Sequence, residues 1–323
     1  MCLSPEHKLN IASEEDFPAR MQEITRELTA CRSCGHFMGS GGAKLFYEYF
    51  LSDGHAGSVV IVHGLSEFTK KYYEFAHCLW KQGYSVFLYD QRCHGLSQRL
   101  TTSPDLIHVE RFETYAKDLD RFLRTVVLPV CPQPLYLYSH SMGGAVTARY
   151  LSDHPETVKK AVLSAPMIDP YATDLPRLVA ATGLLFVSLI MGRKHKFFSA
   201  KEFNPYFSFD EAGDRSRARF DRNMQLRREN PQYRTTPTTM GWAFQALRVR
   251  GMLLRRAKKI KTPLLLLSAE KDRVVKTEAQ KSFAEKCPDC RLVTVTGAGH
   301  PLLTDTADMV AAHIDAVLCF FSE

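Results

Sequence analysis

In Leu135-Tyr136-Leu137-Tyr138-Ser139-His140-Ser141-Met142-Gly143-Gly144-Ala145-Val146 an alternating apolar run ends abruptly, a small polar cluster follows, and helix-forming residues resume at once. That order predicts a buried strand bending sharply into a helix. Ser141 stands at the apex, its backbone strained and its hydroxyl aimed away from the sheet. Ser139, Gly143, Gly144 and Ala145 keep bulk away where strand and helix nearly touch. The pattern is Gly-x-Ser-x-Gly, the bend that presents a nucleophile, except that Ser139 stands where the first glycine usually does. The bland alternative is a Ser-Gly loop after a buried strand, and the choice depends on the rest of the chain.

Outward from the bend, short apolar strands alternate with helical patterns. Upstream, strand-like runs cover 35–38 and 44–51 around Gly39-Ser40-Gly41-Gly42, then 58–62 and 85–89, with helices over 72–81 and 111–127. Downstream, strands at 160–164, 263–268 and 291–296 alternate with helices at 277–286 and 304–320. Strands apolar on both faces, with helices between them, imply an α/β architecture: a mainly parallel eight-stranded sheet flanked by helices. The series is interrupted after the sixth strand. Residues 167–259 carry aromatics and helix formers without a clear strand, and are expected to form a helical cap over the carboxyl ends of the strands. The expected organisation is a polar leader over 1–30 with a short helix at 17–29, a core from 31–166 and 260–323, and the cap.

Charge is concentrated in the cap, whose excess of basic over acidic residues is larger than the +7 of the whole 323-residue chain. A basic stretch such as 215–234 is ordinarily a solvated helix face, but its concentration here also suits an anionic bilayer surface. Stacking platforms and nucleic-acid motifs are absent, which argues against a nucleic-acid partner. Leu178 to Met191 is apolar almost all round and too short to span a bilayer, so it reads as a buried cap helix, or as an acyl-chain funnel or membrane-touching lid. With no basic-then-apolar start, the expected location is the cytoplasm, with peripheral contact at the inner face of the membrane. Cys31-x-x-Cys34 and Cys287-x-x-Cys290 have metal-like spacing, yet each pair flanks a different edge strand. Opposite edges of such a sheet lie roughly 30 Å apart, too far for one ion, so free thiols are expected.

A serine hydroxyl needs a base, and His300 in Thr296-Gly297-Ala298-Gly299-His300-Pro301 follows the last strand at the same sheet end as Ser141. That imidazole needs a buried carboxylate to fix its tautomer; Asp272, after the Leu264–Leu267 run, is expected to supply it, with Glu270 as the rival. An oxyanion would be met by the backbone N–H of Met142 and of Leu65, in the loop His63-Gly64-Leu65-Ser66-Glu67. His63 is read as a loop brace.

The chain resembles α/β-hydrolases of the bacterial lysophospholipase and monoacylglycerol lipase group. The resemblance rests on His63-Gly64-x-x-Glu67, Asp90-x-Arg92-x-His94-Gly95-x-Ser97, His140-Ser141-Met142-Gly143-Gly144 and Ala165-Pro166-Met167. It implies the α/β-hydrolase fold and hydrolysis of single-chain lipid esters through an acyl-serine, lysophospholipid ahead of monoacylglycerol, with no cofactor or metal. Cys93 and Pro301 depart from the group's usual residues, glycine and an acid. Two alternatives stay open: an aminopeptidase resembling proline iminopeptidases, and a catalytically silent hydrolase fold used as a binding module.

Overall fold

The computed structural model describes residue 9 and residues 11–171, 176–212 and 214–323. Part of the expected leader, together with Asp174 and the Arg177 side chain of the cap, therefore lies outside the described residues. The strands are β1 (Arg32–Met38), β2 (Lys44–Phe50), β3 (Gly57–Val62), β4 (Tyr84–Tyr89), β5 (Leu135–His140), β6 (Lys160–Ser164), β7 (Leu264–Ala269) and β8 (Cys290–Val295). They form one eight-stranded sheet in the order β1-β2-β4-β3-β5-β6-β7-β8. β2 runs antiparallel to both β1 and β4, and the other pairings are parallel.

The strands read as continuous apolar runs because successive side chains feed two different cores. Val60, Val62, Leu137, Leu163 and Leu266 enter one core. Val59, Ile61, Tyr136, Tyr138, Val162, Leu265 and Leu267 enter the other. The first core is closed by α3 (Glu113–Phe122) and α4 (Met142–Leu151), with α8 (Met240–Arg256) and α9 (Thr277–Ala284) beside them. The second is closed by α1 (Phe17–Cys31), α2 (Tyr73–Lys81) and α10 (Ala307–Ser322).

Register sets where chemistry can occur. Val62 pairs with Ser139 and His140 with Ser164, so the segments after β3, β5 and β6 leave the sheet at one level. Ala269 pairs with Val295, so the loops after β7 and β8 start side by side. Five segments thus meet at one rim.

Several expectations change. Residues 17–31 are not merely a polar leader: Phe17, Met21, Ile24 and Leu28, spaced four, three and four apart, bury one face of α1 in the second core. α8 lies inside the expected 167–259 cap, yet its Trp242, Ala246, Val249 and Leu253 belong to the first core. The apolar helix α5 (Arg177–Met191) is not buried all round. Leu184 packs with Met240, Ala243 and Leu247, whereas Leu178, Phe186, Leu189 and Ile190 are 80%, 65%, 72% and 71% exposed.

The basic helix α7 (Arg217–Glu229), which follows the short α6 (Phe209–Ala212), is not simply a solvated face either. Arg219 is buried and bidentate to Glu74 of α2, Nε to Oε2 at 2.9 Å and Nη2 to Oε1 at 2.6 Å. Its guanidinium also lies 4.7 Å from the Phe17 ring. This pair ties α7 to the core, and deleting one partner strands the other charge. Arg219→Ala is expected to cost about 3–5 kcal/mol of unfolding free energy in a urea titration. A midpoint equal to wild type would refute the tether.

Candidate active site

Ser141 adopts φ 52° and ψ −117°, a conformation forced on it by the bend between β5 and α4. Its own N–H donates to the Ser164 carbonyl at 3.0 Å, and the Met167 N–H donates to the Ser141 carbonyl at 2.8 Å. The small neighbours are required sterically: a Cβ on Gly143 would stand 2.1 Å from the Val62 carbonyl oxygen, and one on Gly144 would stand 2.7 Å from the Pro166 Cβ. Ser139 is accommodated where a glycine is usual because its hydroxyl donates to the Val162 carbonyl at 3.2 Å.

The loops bring Ser141, His300 and Asp272 into one hydrogen-bonded row. His300 Nε2 is 2.9 Å from Ser141 Oγ, and His300 Nδ1 is 2.7 Å from Asp272 Oδ2. The other carboxylate oxygen, Oδ1, accepts the N–H groups of Val274 and Val275 at 2.8 and 2.9 Å. Burial would raise the Asp272 pKa, but the His300 hydrogen bond and charge and the two backbone donors outweigh it, leaving it below the carboxylate norm. Glu270 has a different position: its Oε2 accepts the Gly297 N–H at 2.7 Å and so holds the loop that carries His300.

Burial is the main cause lowering the His300 pKa below its ordinary 6.5, and the nearby His140 adds to it, while Asp272 and Glu67 oppose. A base must be neutral to take the serine proton, so kcat/KM should rise with pH through a midpoint below 6.5 and be flat above it. A pH–rate profile with its acid limb centred above pH 7 would contradict this.

Met142 N–H is among the first donors of α4, which have no acceptor inside the helix, and Leu65 lines the same space as Ser141. The Leu65 loop is held by Glu67. This buried carboxylate accepts from Gly64 N at 2.6 Å, Tyr72 OH at 2.6 Å and Lys71 Nζ at 2.5 Å. His140 Nδ1 lies 3.2 Å from Glu67 Oε2 and its Nε2 lies 3.2 Å from the His300 carbonyl, linking elbow, Leu65 loop and histidine loop. Glu67 and His140 stand in the motifs given above, but the sequence by itself assigns neither a role. The available signal was the three-residue step from Gly64 to Glu67, which lets a carboxylate fold back onto a backbone N–H. His63 is used at both ring nitrogens, Nδ1–H toward the Gly64 carbonyl at 2.7 Å and Nε2 from the Gln91 N–H at 2.9 Å, which suits a brace.

The Asp90–Ser97 loop also braces. Asp90 accepts Thr69 N and Leu96 N, both at 2.8 Å. Arg92 is bidentate to Asp118 at 2.6 and 2.7 Å. Cys93 has φ +64°, which explains why glycine is favoured there.

Two cavities flank Ser141. One, of about 720 Å³, is apolar, lined by Val179, Leu184, Phe197, Trp242 and Leu247 among others. The other, of about 740 Å³, is lined by Glu67, Lys71, Asp214, Arg215, Arg227 and Lys271 among others. Ser141, Leu65 and Val274 border both. Among the described residues no group of three or more His, Cys, Asp or Glu is placed to share a metal ion. Cys31, just before β1, and Cys290, the first residue of β8, come from the two Cys-x-x-Cys pairs and lie at opposite edges of the sheet.

A strand order of this kind, with a strained serine at the central bend, defines an α/β-hydrolase. The chain belongs to the family described as serine aminopeptidase, S33, whose sequence model matches residues 53–307. Lysophospholipase L2 of Escherichia coli (strain K12) is 28% identical over 299 residues, 90% of this chain and 88% of its own length. The monoglyceride lipase of Rattus norvegicus is 24% identical over 272 residues, 83% of each chain. A soluble variant of Saccharomyces cerevisiae monoglyceride lipase, solved with a substrate analog, superposes with TM-score 0.69 at 17% identity, covering 90% of this chain and 96% of that one.

Proposed function

We propose that this protein hydrolyses the carboxylic ester of single-chain lipids, lysophospholipids ahead of monoacylglycerols. The observation that carries the reading is the pair of chambers meeting at Ser141, one apolar and one polar. An amphiphile with one acyl chain would put its chain in the first and its headgroup in the second, leaving the ester carbonyl at the serine. The names of the E. coli and rat relatives fit the same two substrates.

In this reading Ser141 Oγ attacks the acyl carbonyl while His300 Nε2 takes its proton, and Asp272 stabilises the imidazolium. The negative oxygen of the tetrahedral intermediate accepts from Met142 N–H and Leu65 N–H. His300 then protonates the departing glycerol oxygen. Water attacks the acyl-serine, giving its proton to His300; the acyl–Oγ bond breaks, His300 returns the proton to Ser141 Oγ, and the fatty acid leaves.

The exposed face of α5, with Phe198 nearby at 74% exposure, would rest on the lipid surface that supplies the substrate. Exposed Lys194, just after α5, would favour an anionic bilayer, as expected for a cytoplasmic enzyme visiting the inner face, while its neighbours Arg193 and Lys196 are paired with Glu110 and Glu202. No helix among the described residues is long and apolar enough to cross a membrane.

A second reading, cleavage of an aminoacyl amide, draws on Asp210, Glu211 and Asp214, cap carboxylates that line the polar chamber and could hold an amine. Glu211 is already engaged by Ser208, Oγ at 2.8 Å and N at 3.0 Å. One panel separates the readings: a lysophosphatidyl lipid, a monoacylglycerol, a short p-nitrophenyl ester and a prolyl amide. The lysophospholipid is expected to give the highest kcat/KM; if it ranks below the short ester the lipid reading falls, and if the amide ranks first the second reading replaces it. Sedimentation with anionic vesicles, weakened by Phe186→Glu with Leu189→Glu, tests the surface contact; unchanged binding by that variant would rule α5 out.

A further inference from the structure

The basic side chains around the polar chamber are not equivalent. Lys71 is paired with Glu67 at 2.5 Å, and Arg215 lies 3.4 Å from Asp305. Arg227, in the last turn of α7, makes a different set of contacts. Its Nε donates to the Tyr233 carbonyl at 3.2 Å. Its Nη2 donates to Thr236 Oγ1 at 2.6 Å and to the Thr235 carbonyl at 3.4 Å. The guanidinium carbon is 4.5 Å from the centre of the Phe203 ring. Every one of these partners is neutral, and Nη1 makes none of the hydrogen bonds. Among the described residues no carboxylate lies within ion-pair distance of it, and Glu67 acts on it only through space.

A half-buried guanidinium without a counter-ion is a costly arrangement, and burial pushes its pKa down to about 10. An anion entering the chamber would remove that cost. The guanidinium is also held in place before the ligand arrives, because Nε and Nη2 are anchored to the 233–236 segment and Phe203 stacks on one face. A fixed, planar, five-donor group suits two oxygens of a phosphate better than a mobile lysine would.

We propose that Arg227 is the recognition group for an anionic phosphodiester headgroup in the polar chamber, so that this residue sets the preference for lysophospholipid over monoacylglycerol. The proposal rests on the lipid-ester reading of Ser141 given above. In the bound state the phosphodiester oxygens accept from the two N–H groups of Arg227 Nη1, since Nη2 is taken by Thr236 Oγ1 and the Thr235 carbonyl, while the acyl ester reaches Ser141 across the junction of the two chambers. Arg227 does not touch the reacting carbonyl, so it acts on which lipid binds and not on the bond-breaking step.

The test compares kcat/KM for a lysophosphatidylethanolamine and a monoacylglycerol of the same acyl chain, in wild type, Arg227→Gln and Arg227→Lys. Loss of a charge-assisted hydrogen bond predicts that Arg227→Gln lowers the lysophospholipid-to-monoacylglycerol ratio by roughly 10- to 100-fold, mainly through KM. Arg227→Lys should restore part of that ratio, since it keeps the charge without the fork. Equal losses on both lipids in both variants would make Arg227 a brace for the 233–236 segment and overturn the proposal, as would an unchanged ratio. If Arg227→Gln does not melt cooperatively, the ratio in Arg227→Lys decides by the same criterion. Inorganic phosphate is the control for a free-anion site: if it inhibits monoacylglycerol hydrolysis through Arg227 while the lipid ratio is unaffected, the headgroup assignment is wrong. A wild type that cleaves neither lipid removes the lipid reading itself, whereas cleavage of both with an unaltered ratio removes only the role of Arg227.

Discussion

Ser141→Ala is expected to lower kcat by roughly 10⁶-fold on the best substrate of the panel, with the melting temperature close to wild type. The size follows from the kind of step lost. Without Oγ there is no acyl-enzyme, and His300 Nε2, now 2.9 Å from nothing it can deprotonate, has no nucleophile to activate. What remains is the residual effect of backbone donors and binding. The fold should tolerate the change because alanine removes one hydroxyl from a position whose backbone is fixed by Ser164 and Met167. A fluorophosphonate probe gives an independent reading: it should label wild type and not Ser141→Ala. A folded wild type that the probe leaves unlabelled would favour the silent binding module over any hydrolase.

Asp272→Asn is expected to cost about 10⁴-fold in kcat, whereas Glu270→Gln should cost far less. Asparagine keeps the shape but can present its amide N–H to His300 Nδ1, which would then have to accept, leaving the proton on Nε2 and closing the path from Ser141. Glu270 does not meet the imidazole; its Oε2 holds Gly297 N at 2.7 Å, so its loss loosens the loop without inverting the tautomer. Both variants are read by steady-state kinetics at a pH above the acid limb. If Glu270→Gln alone is inactive, the acid has been assigned to the wrong residue.

How much of this was legible from sequence varies by residue. Ser141 and the elbow were readable because the bend imposes a purely local demand: small residues beside a strained serine, in consecutive positions. The sheet was readable for a similar reason, since strands buried on both faces are continuous apolar runs. Asp272 and His300 were readable as loop residues after strands, at the correct end of the sheet. The identity of the acid, against Glu270 two residues away, rested on position on the loop alone; the difference between them emerged only when Gly297 and His300 came within reach.

Elsewhere local pattern misled. α1 looks polar because Arg20, Glu23, Arg26 and Glu27 are as many as its buried residues, although Phe17, Met21, Ile24 and Leu28 form a proper apolar stripe. α5 looked buried because periodicity is weak when nearly every residue is apolar, and only packing against α8 divides an inner from an outer face. Arg219 and Arg227 look alike in the sequence, eight residues apart on one basic helix. One is neutralised by Glu74 from a distant helix, and the other faces a chamber without a carboxylate partner.

The order of residues alone thus determined the layered fold and the serine at its central bend, because those depend on short-range geometry and on strand-end position. Tertiary structure decided which acid meets the histidine, which arginine of α7 is paired with a carboxylate and that two unlike chambers share one serine. Those are facts about charges and surfaces brought together from far apart in the chain, and the energy of each depends on its neighbours in space.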